Sequence, residues 1–268
     1  MKTALIVGCG NMGSAIVSAL LEKEIFPRES LLIVEKQENQ HTLQLEGMGV
    51  RIFKTIEEVK ETQELVILAI KPQDAVPVME RLKPKVNAQS LVISIMAGIT
   101  LKAMEKVLTE PMLIRSMPNT PCAIHQGMTV FCGSPKVTAS HKAIAQVILG
   151  GMGKAIEVEH EGMIDSATAI SGSGPAYLFY LAEAMTEAAK AFGFSAGDAT
   201  MLANQTLLGA SLLLEQSEEG AEGLKKRVTS KGGTTEAALR TFDAKGIKQS
   251  LTEGFKAAKA RSEELGRG

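Results

Sequence analysis

TALIVGCGNMGSAIVSALL, residues 3–21, is the stretch that decides the fold. Ala4–Val7 is an apolar run of strand length, and it leads straight into three glycines spaced as GxGxxG: Gly8, Gly10 and Gly13. Strand, glycine turn and helix in that order have a mechanical reading. Gly8 permits a tight turn, Gly10 lets the backbone come up against a pyrophosphate, and Gly13 lets the following helix lie close on the strand. The helix that starts near Asn11 then offers unpaired N–H groups and a partial positive charge to the phosphates. The expected cradle is Val7, Gly8, Cys9, Gly10, Asn11, Met12 and Gly13. A plain tight turn is the alternative. The place of the motif at the head of a βαβ unit favours a dinucleotide.

Outward from this unit the alternation continues. Leu31–Val34, Val50–Phe53, Leu65–Ile70, Leu91–Ile95 and Met112–Ile114 read as buried parallel strands, with stretches between them long enough for crossover helices. Thr129–Cys132 and Ala155–Val158 read as further strands. The expectation is an α/β, Rossmann-like domain over residues 1–162 with a mainly parallel, doubly wound sheet. Beyond residue 162 strand patterns vanish. Pro175–Phe192, Asp198–Gln216, Thr235–Phe242 and Ile247–Leu265 read as helices, which gives an all-α domain over 163–268. LLGASLLLE (207–215) is apolar on nearly all sides, and a helix of that kind must be covered on all sides. A domain of this size cannot cover several such helices alone, so the C-terminal half is expected to pack on a second copy of the chain rather than to form a monomeric bundle.

In such a sheet, ligands lie beyond the carboxyl ends of the strands. The second strand ends in Glu35–Lys36. An acidic residue there accepts hydrogen bonds from the ribose hydroxyls and repels a 2′-phosphate, whereas Lys36 would attract it. The pair leaves the choice between NAD(H) and NADP(H) open. The fourth strand exits through Ala69, Ile70, Lys71 and Pro72, the fifth through Ala97 and Gly98, and the sixth through Pro118–Asn119–Thr120–Pro121. Lys71 reads equally as a phosphate contact or a turn lysine. Ala97 and Gly98 leave room for a cofactor ring. Asn119, stiffened by two prolines, reads as a carboxamide partner or as a turn cap.

Composition narrows the field. The 268 residues are 45% hydrophobic and 22% charged with a formal net charge of −1, which leaves no basic field for nucleic acid or an anionic membrane. With two Tyr, eight Phe and no Trp there is no base-stacking platform. Cys9, Cys122 and Cys132 are far apart and suggest neither a disulfide framework nor a metal site. No signal-peptide pattern and no membrane-length apolar run is seen, so a cytoplasmic protein is expected. His41, His125, His141 and His160 are scattered without metal spacing or an apparent carboxylate partner. The chemistry must therefore come mainly from the cofactor.

Two segments of the helical half carry chemistry. In AISGSGPAY (169–177) a Gly-Ser turn precedes Pro175, a favoured first helical residue. The helix after it lacks the lysine and asparagine of β-hydroxyacid dehydrogenases. In RVTSKGGTTEAALRTF (227–242), Gly232–Gly233 break the chain and Thr234–Thr235–Glu236 open a helix. Its N–H groups, with the hydroxyls of Ser230, Thr234 and Thr235, suit the carboxylate of a small amino-acid-like anion. A glycine linker with threonine caps is the bland alternative.

VGCGNMG (7–13), AIKP (69–72), MAGIT (96–100), RSMPNTP (115–121), ISGSGPAY (170–177) and VTSKGGTTEAAL (228–239) together resemble the pyrroline-5-carboxylate reductase family, in its order and spacing and over nearly the full length. The resemblance implies a homodimer, often assembled further into rings of five dimers (decamers), with one chain's cofactor domain facing the other's glycine–threonine loop. It implies that Ser230, Gly233 and Thr234 hold the substrate carboxylate, that Thr235 bonds the ring nitrogen as the catalytic residue, and that Glu218 lies near the loop. It places cofactor contacts at Val7 through Met12, Ile70, Lys71 and Ala97, and implies hydride transfer from NADP(H) or NAD(H) to a cyclic imine carboxylate, giving L-proline. Some relatives carry serines after strand 2 where this chain has Glu35–Lys36, and some carry proline where this chain has Lys231. Another imine reductase, a hydroxyacid dehydrogenase and a non-catalytic dinucleotide sensor are the rival readings.

Overall fold

A computed structural model describes residues 3–266 of the chain. Among them the strands are β1 (Ala4–Val7), β2 (Leu31–Val34), β3 (Arg51–Phe53), β4 (Leu65–Leu68), β5 (Leu91–Ser94), β6 (Met112–Met117), β7 (Gly127–Gly133) and β8 (Gly153–Glu157). They form one sheet in the order β3-β2-β1-β4-β5-β6-β7-β8. All pairings are parallel except β6 with β7. The first unit's helices are α1 (Asn11–Glu22), α2 (Gln40–Gly47), α3 (Ala75–Leu82), α4 (Leu101–Val107), α5 (Ala139–Gly150) and α6 (Gly162–Ala167).

The continuous apolar runs of β1, β2, β4 and β5 are explained by cover on both faces. Alternate residues of one strand enter different cores. Ala4 and Ile6 pack with Ile16, Leu20 and Leu149, while Leu5 and Val7 pack with Met79, Leu82 and Met104. The register then lines up the strand exits. Val7 stands opposite Val34 and Leu68, Leu68 opposite Ser94, and Ser94 opposite Arg115. Gly8, Glu35, Ala69 and Ile95 follow at one edge, each donating its N–H to a neighbouring strand (to Val34 at 2.8 Å, Phe53 at 3.0 Å, Val7 at 2.8 Å and Leu68 at 3.0 Å).

Two strands differ in length from the sequence expectation. β4 stops at Leu68 rather than Ile70, because its neighbour leaves the ladder at Gly8 in a left-handed turn (φ +97). β6 runs on to Met117, because β7 folds back antiparallel and supplies Phe131 and Val130 as partners for Ser116 and Met117.

The chain compacts as two units. One is the chain up to Ser173 together with the segment from Ala258 onward, and the other is Gly174–Ala257. The second unit contains α7 (Gly174–Ala191), α8 (Ala196–Gln216), α9 (Gly220–Arg227) and α10 (Thr234–Ala244), and most of α11 (Ile247–Leu265). Helix α9 was not expected, since its two glycines lower its propensity. Three cations in its last turn suit the negative end of its dipole.

The Gly-Ser turn expected before Pro175 is helical instead. Thr168–Gly172 form a wide π turn that continues α6, and Ser173 is right-handed (φ −86, ψ −15). Gly172 and Gly174 are not among the positive-φ glycines, so the turn reading fails there. The last residues of α11 belong to the first unit. Ser262 donates to Asp165 at 2.9 Å, and Asp165 in turn receives the buried Arg115 at 2.9 Å.

Candidate active site

The three glycines of the first cradle are required for different reasons, and the geometry separates them. A Cβ on Gly8 would lie 2.5 Å from the carbonyl oxygen of Ala69, in a backbone conformation that already favours glycine. A Cβ on Gly13 would lie 2.1 Å from the carbonyl oxygen of Gly8. A Cβ on Gly10 would meet nothing within 4 Å. Gly8 and Gly13 thus serve the packing of loop, strand and helix. Gly10 keeps clear the space in front of the helix. Gly10 is the N-cap of α1 and its carbonyl accepts Ser14 N–H at 2.9 Å, which leaves the N–H groups of Asn11, Met12 and Gly13 without an intrahelical acceptor. A clear approach and three convergent donors fit a diphosphate.

The loop is tied down at Cys9. Its N–H donates to Glu35 Oε2 at 2.7 Å, and its carbonyl accepts from Asn39 Nδ2 at 3.2 Å. Asn39 also caps α2, its Oδ1 accepting from His41 N–H at 2.9 Å and Thr42 N–H at 3.0 Å. Burial, with Glu35 adding to it, pushes the Cys9 thiol up to about 11. Val7 is buried behind the loop. A cleft of about 360 Å³ opens beside the first turn of α1, lined by Asn11, Ser18, His41, Gln44 and Thr120 among others.

The remaining strand exits stand on the same edge. Ala69 and Ile70 back the glycine loop. Lys71 is extended (φ −70, ψ 144) and exposed before the short turn Pro72–Asp74. Lys36 is also exposed. Ala97 is exposed, and Gly98 turns with φ +75 where a Cβ would lie 3.3 Å from Leu265. Asn119 uses its amide on the backbone, Nδ2 donating to Ser171 at 3.0 Å and Oδ1 accepting from Met128 at 2.9 Å.

The second cradle is locally built. Gly233 is the N-cap of α10, and its N–H donates to Ser230 carbonyl at 3.0 Å. Gly232 turns with φ +75, which favours glycine, and a Cβ at Gly233 would displace the Ser230 hydroxyl, 2.4 Å away. The N–H groups of Thr234, Thr235 and Glu236 lie in the first turn of α10 without intrahelical acceptors. Glu218 sits exposed in the turn between α8 and α9.

The structure thus gathers the expected cofactor residues on one edge of the first unit. Ser230, Gly233, Thr234 and Thr235 gather at the start of α10. Two contributors escaped the sequence reading. Asn39 was signalled by the capping pattern Asn39-x-x-Thr42. Glu236, the third helical residue of α10, accepts Gly232 N–H at 2.7 Å and pins the loop. His125 has a carboxylate partner after all: Glu22 lies 3.0 Å from its Nε2, because a left-handed turn (φ 56) carries the ring back onto α1. No group of three His, Cys, Asp or Glu among the described residues is arranged to hold a metal ion. No helix among them is long and apolar enough to cross a membrane.

A mainly parallel sheet with a GxGxxG loop at its switch point, joined to a helical segment, is the architecture of the dinucleotide-binding class. Comparison with known proteins narrows the class. Residues 161–265 match the family model "Pyrroline-5-carboxylate reductase dimerisation" and residues 2–98 match "NADP oxidoreductase coenzyme F420-dependent". The chain is 34% identical to the pyrroline-5-carboxylate reductase of Pseudomonas aeruginosa over 97% of its own length and 95% of the relative's. It superposes on the solved pyrroline-5-carboxylate reductase of Coxiella burnetii with a TM-score of 0.91 and 31% identity, covering 98% of each chain. The Plasmodium falciparum pyrroline carboxylate reductase, solved with NADP bound, gives a TM-score of 0.87 at 27% identity, covering 99% of this chain and 98% of that one. The chain belongs to the pyrroline-5-carboxylate reductase family.

Proposed function

We infer that this chain reduces L-1-pyrroline-5-carboxylate to L-proline with NAD(P)H, the step that completes proline synthesis. The observation that carries the reading is the cradle at the start of α10, where first-turn N–H groups without intrahelical acceptors stand close in the chain to Ser230 and Thr235. The glycine loop at Gly8–Gly13 holds the dinucleotide. The other contacts we assign to it are Glu35, Lys36, Ala69, Ile70, Lys71, Pro72, Ala97 and Gly98, while Asn119 shapes the exit of β6 through its bonds to Ser171 and Met128. When bound, the reduced nicotinamide supplies a hydride.

We assign the substrate carboxylate to Ser230, Gly233 and Thr234, with Glu218 at the rim. Thr235 orients the ring nitrogen or relays a proton to it from water, so that the imine carbon meets the hydride donor in a near-attack geometry. The product nitrogen keeps the proton, and the carbon gains the hydride. Little acid catalysis is needed, because a protonated cyclic imine is already a good electrophile. In this division of labour residues 1–162 hold the dinucleotide, and residues 163–268 dimerise and take the substrate.

We further propose a homodimer in which one protomer's loop serves its partner's nucleotide. Assembly into rings of five dimers and a cytoplasmic location complete the proposal. The unpaired, buried cysteines suit a reducing compartment. Purified protein should oxidise NADH or NADPH when given pyrroline-5-carboxylate and should leave 3-hydroxy acids untouched in the presence of the oxidised cofactors. Binding of dinucleotide with no turnover of the cyclic imine would refute the reading.

A further inference from the structure

We propose that Glu35 selects between the two nicotinamide dinucleotides, and that this protein binds NADH in preference to NADPH. The inference rests on the reductase reading above. It adds a preference that the residue pair Glu35–Lys36 leaves open in the sequence.

The decisive feature is that the carboxylate is fixed. Glu35 is the first residue beyond β2, and its own N–H is held by Phe53 carbonyl at 3.0 Å. Its Oε2 accepts Cys9 N–H at 2.7 Å, inside the glycine loop. Its Oε1 accepts Gln37 N–H at 3.1 Å. Both oxygens are therefore anchored on backbone. Each retains a lone pair that can accept from a ribose hydroxyl. A carboxylate held in this way swings aside to admit a second anion only by giving up both bonds. In this fold the end of the second strand is where the adenosine ribose lies. A 2′-phosphate there would stand against a fixed negative charge joined to the loop that holds the diphosphate.

The cations on this edge are of a different kind. Lys36 and Lys54 are exposed on flexible stems. Their charges are screened by solvent and offset by Glu38 and Glu58 close by in the chain. Glu57 is committed to Arg81, with two bonds of 2.7 Å. Arg28 and Arg51 donate to the carbonyls of Met48 and Glu29, which lie before β3 and β2 and so at the opposite edge of the sheet. No planar guanidinium fork is directed at the ribose by these bonds, and a fixed anion outweighs mobile ammonium groups at this position.

The test is equilibrium binding of NADH and NADPH to the full-length protein, read by nicotinamide fluorescence and without turnover. Wild type should bind NADH at least about tenfold more tightly, as expected for an uncompensated like-charge contact near a surface. Glu35→Gln keeps an acceptor for Cys9 N–H, removes the charge, and should bring the two affinities within about threefold. Lys36→Ala should weaken NADPH by less than about threefold, as for one screened charge. Tighter binding of NADPH by wild type, an unchanged ratio in Glu35→Gln, or collapse of NADPH binding in Lys36→Ala would each overturn the proposal. Failure to bind either nucleotide would instead overturn the reductase reading beneath it.

Discussion

The two units bury their apolar residues very differently. In the first, β1, β2, β4 and β5 are buried at every position, and helices close both faces of the sheet. In the second, α7, α9 and α10 have no buried residue, and α8 buries only Ala199 and Ala203. Phe179, Tyr180, Met201, Leu208 and Leu213 are each more than half exposed. Exposed apolar area of this extent along the twenty-one residues of α8 is what a protein–protein interface presents, in keeping with the match of residues 161–265 to a dimerisation family model. The same contrast separates the two cradles. The glycine loop is wedged against Ala69 and pinned by Glu35 and Asn39. The loop before α10 is shaped by its own bonds, Gly233 to Ser230 and Gly232 to Glu236, and is largely exposed. One cradle is fixed by tertiary packing, and the other by bonds within its own few residues.

The largest effect is expected at α8. Leu212→Arg puts a charge into the face that the account assigns to the dimer, and an unpaired buried charge costs about 3–5 kcal/mol. The variant should run as a monomer in light scattering and lose most of its turnover. An intact, fully active dimer would mean that α8 is not the interface.

The glycine loop gives the next largest effect, and it splits cleanly. Gly8→Ala forces a Cβ to within 2.5 Å of Ala69 oxygen and should lower the melting temperature. Gly10→Val faces open space, so its melting temperature should match wild type while NAD(P)H affinity falls by about a hundredfold through blocked backbone approach. Equal loss of stability in both would erase the distinction between packing glycines and a ligand glycine.

Thr235→Ala sharpens the second cradle. Turnover should fall by roughly ten- to a hundredfold, the low end of single acid–base effects, with nucleotide affinity unchanged. Unaltered turnover would remove Thr235 from the chemistry.

The smallest expected effect concerns Cys9. Burial raises its thiol to about 11, whereas in the unfolded chain it returns to its ordinary value of 9.0. Between those values the unfolded chain has lost the proton that the folded one keeps. This contribution to stability is therefore full below pH 9 and is lost as pH rises through about 11. Cys9→Ser should flatten the alkaline fall in melting temperature, and a native thiol that reacts rapidly at pH 8 would contradict the burial.

Much of the first unit was legible in the sequence, because a strand buried on both faces leaves an unbroken apolar run and a glycine turn leaves its spacing. What could not be read was decided by tertiary partners. β6 is lengthened by the antiparallel β7, a pairing with no local signature. Thr168–Gly172 look like a turn by composition but stay helical between α6 and α7. Of the cradle residues, Gly8–Gly13 and Thr234–Thr235 announce themselves by spacing. The pinning of Cys9 by Glu35 and Asn39 joins residues about thirty positions apart, and no local pattern encodes it.

Whether each site takes its nucleotide loop from one protomer and its substrate loop from the other is decided by complementation. Gly10→Val and Thr235→Ala chains, each nearly inactive alone, would be co-expressed and the mixed dimers isolated. If sites are shared, one of the two sites in every mixed dimer is wholly wild type, and the isolated mixed dimers should recover up to about half of wild-type turnover. Mixed dimers no more active than their parents would contradict the account.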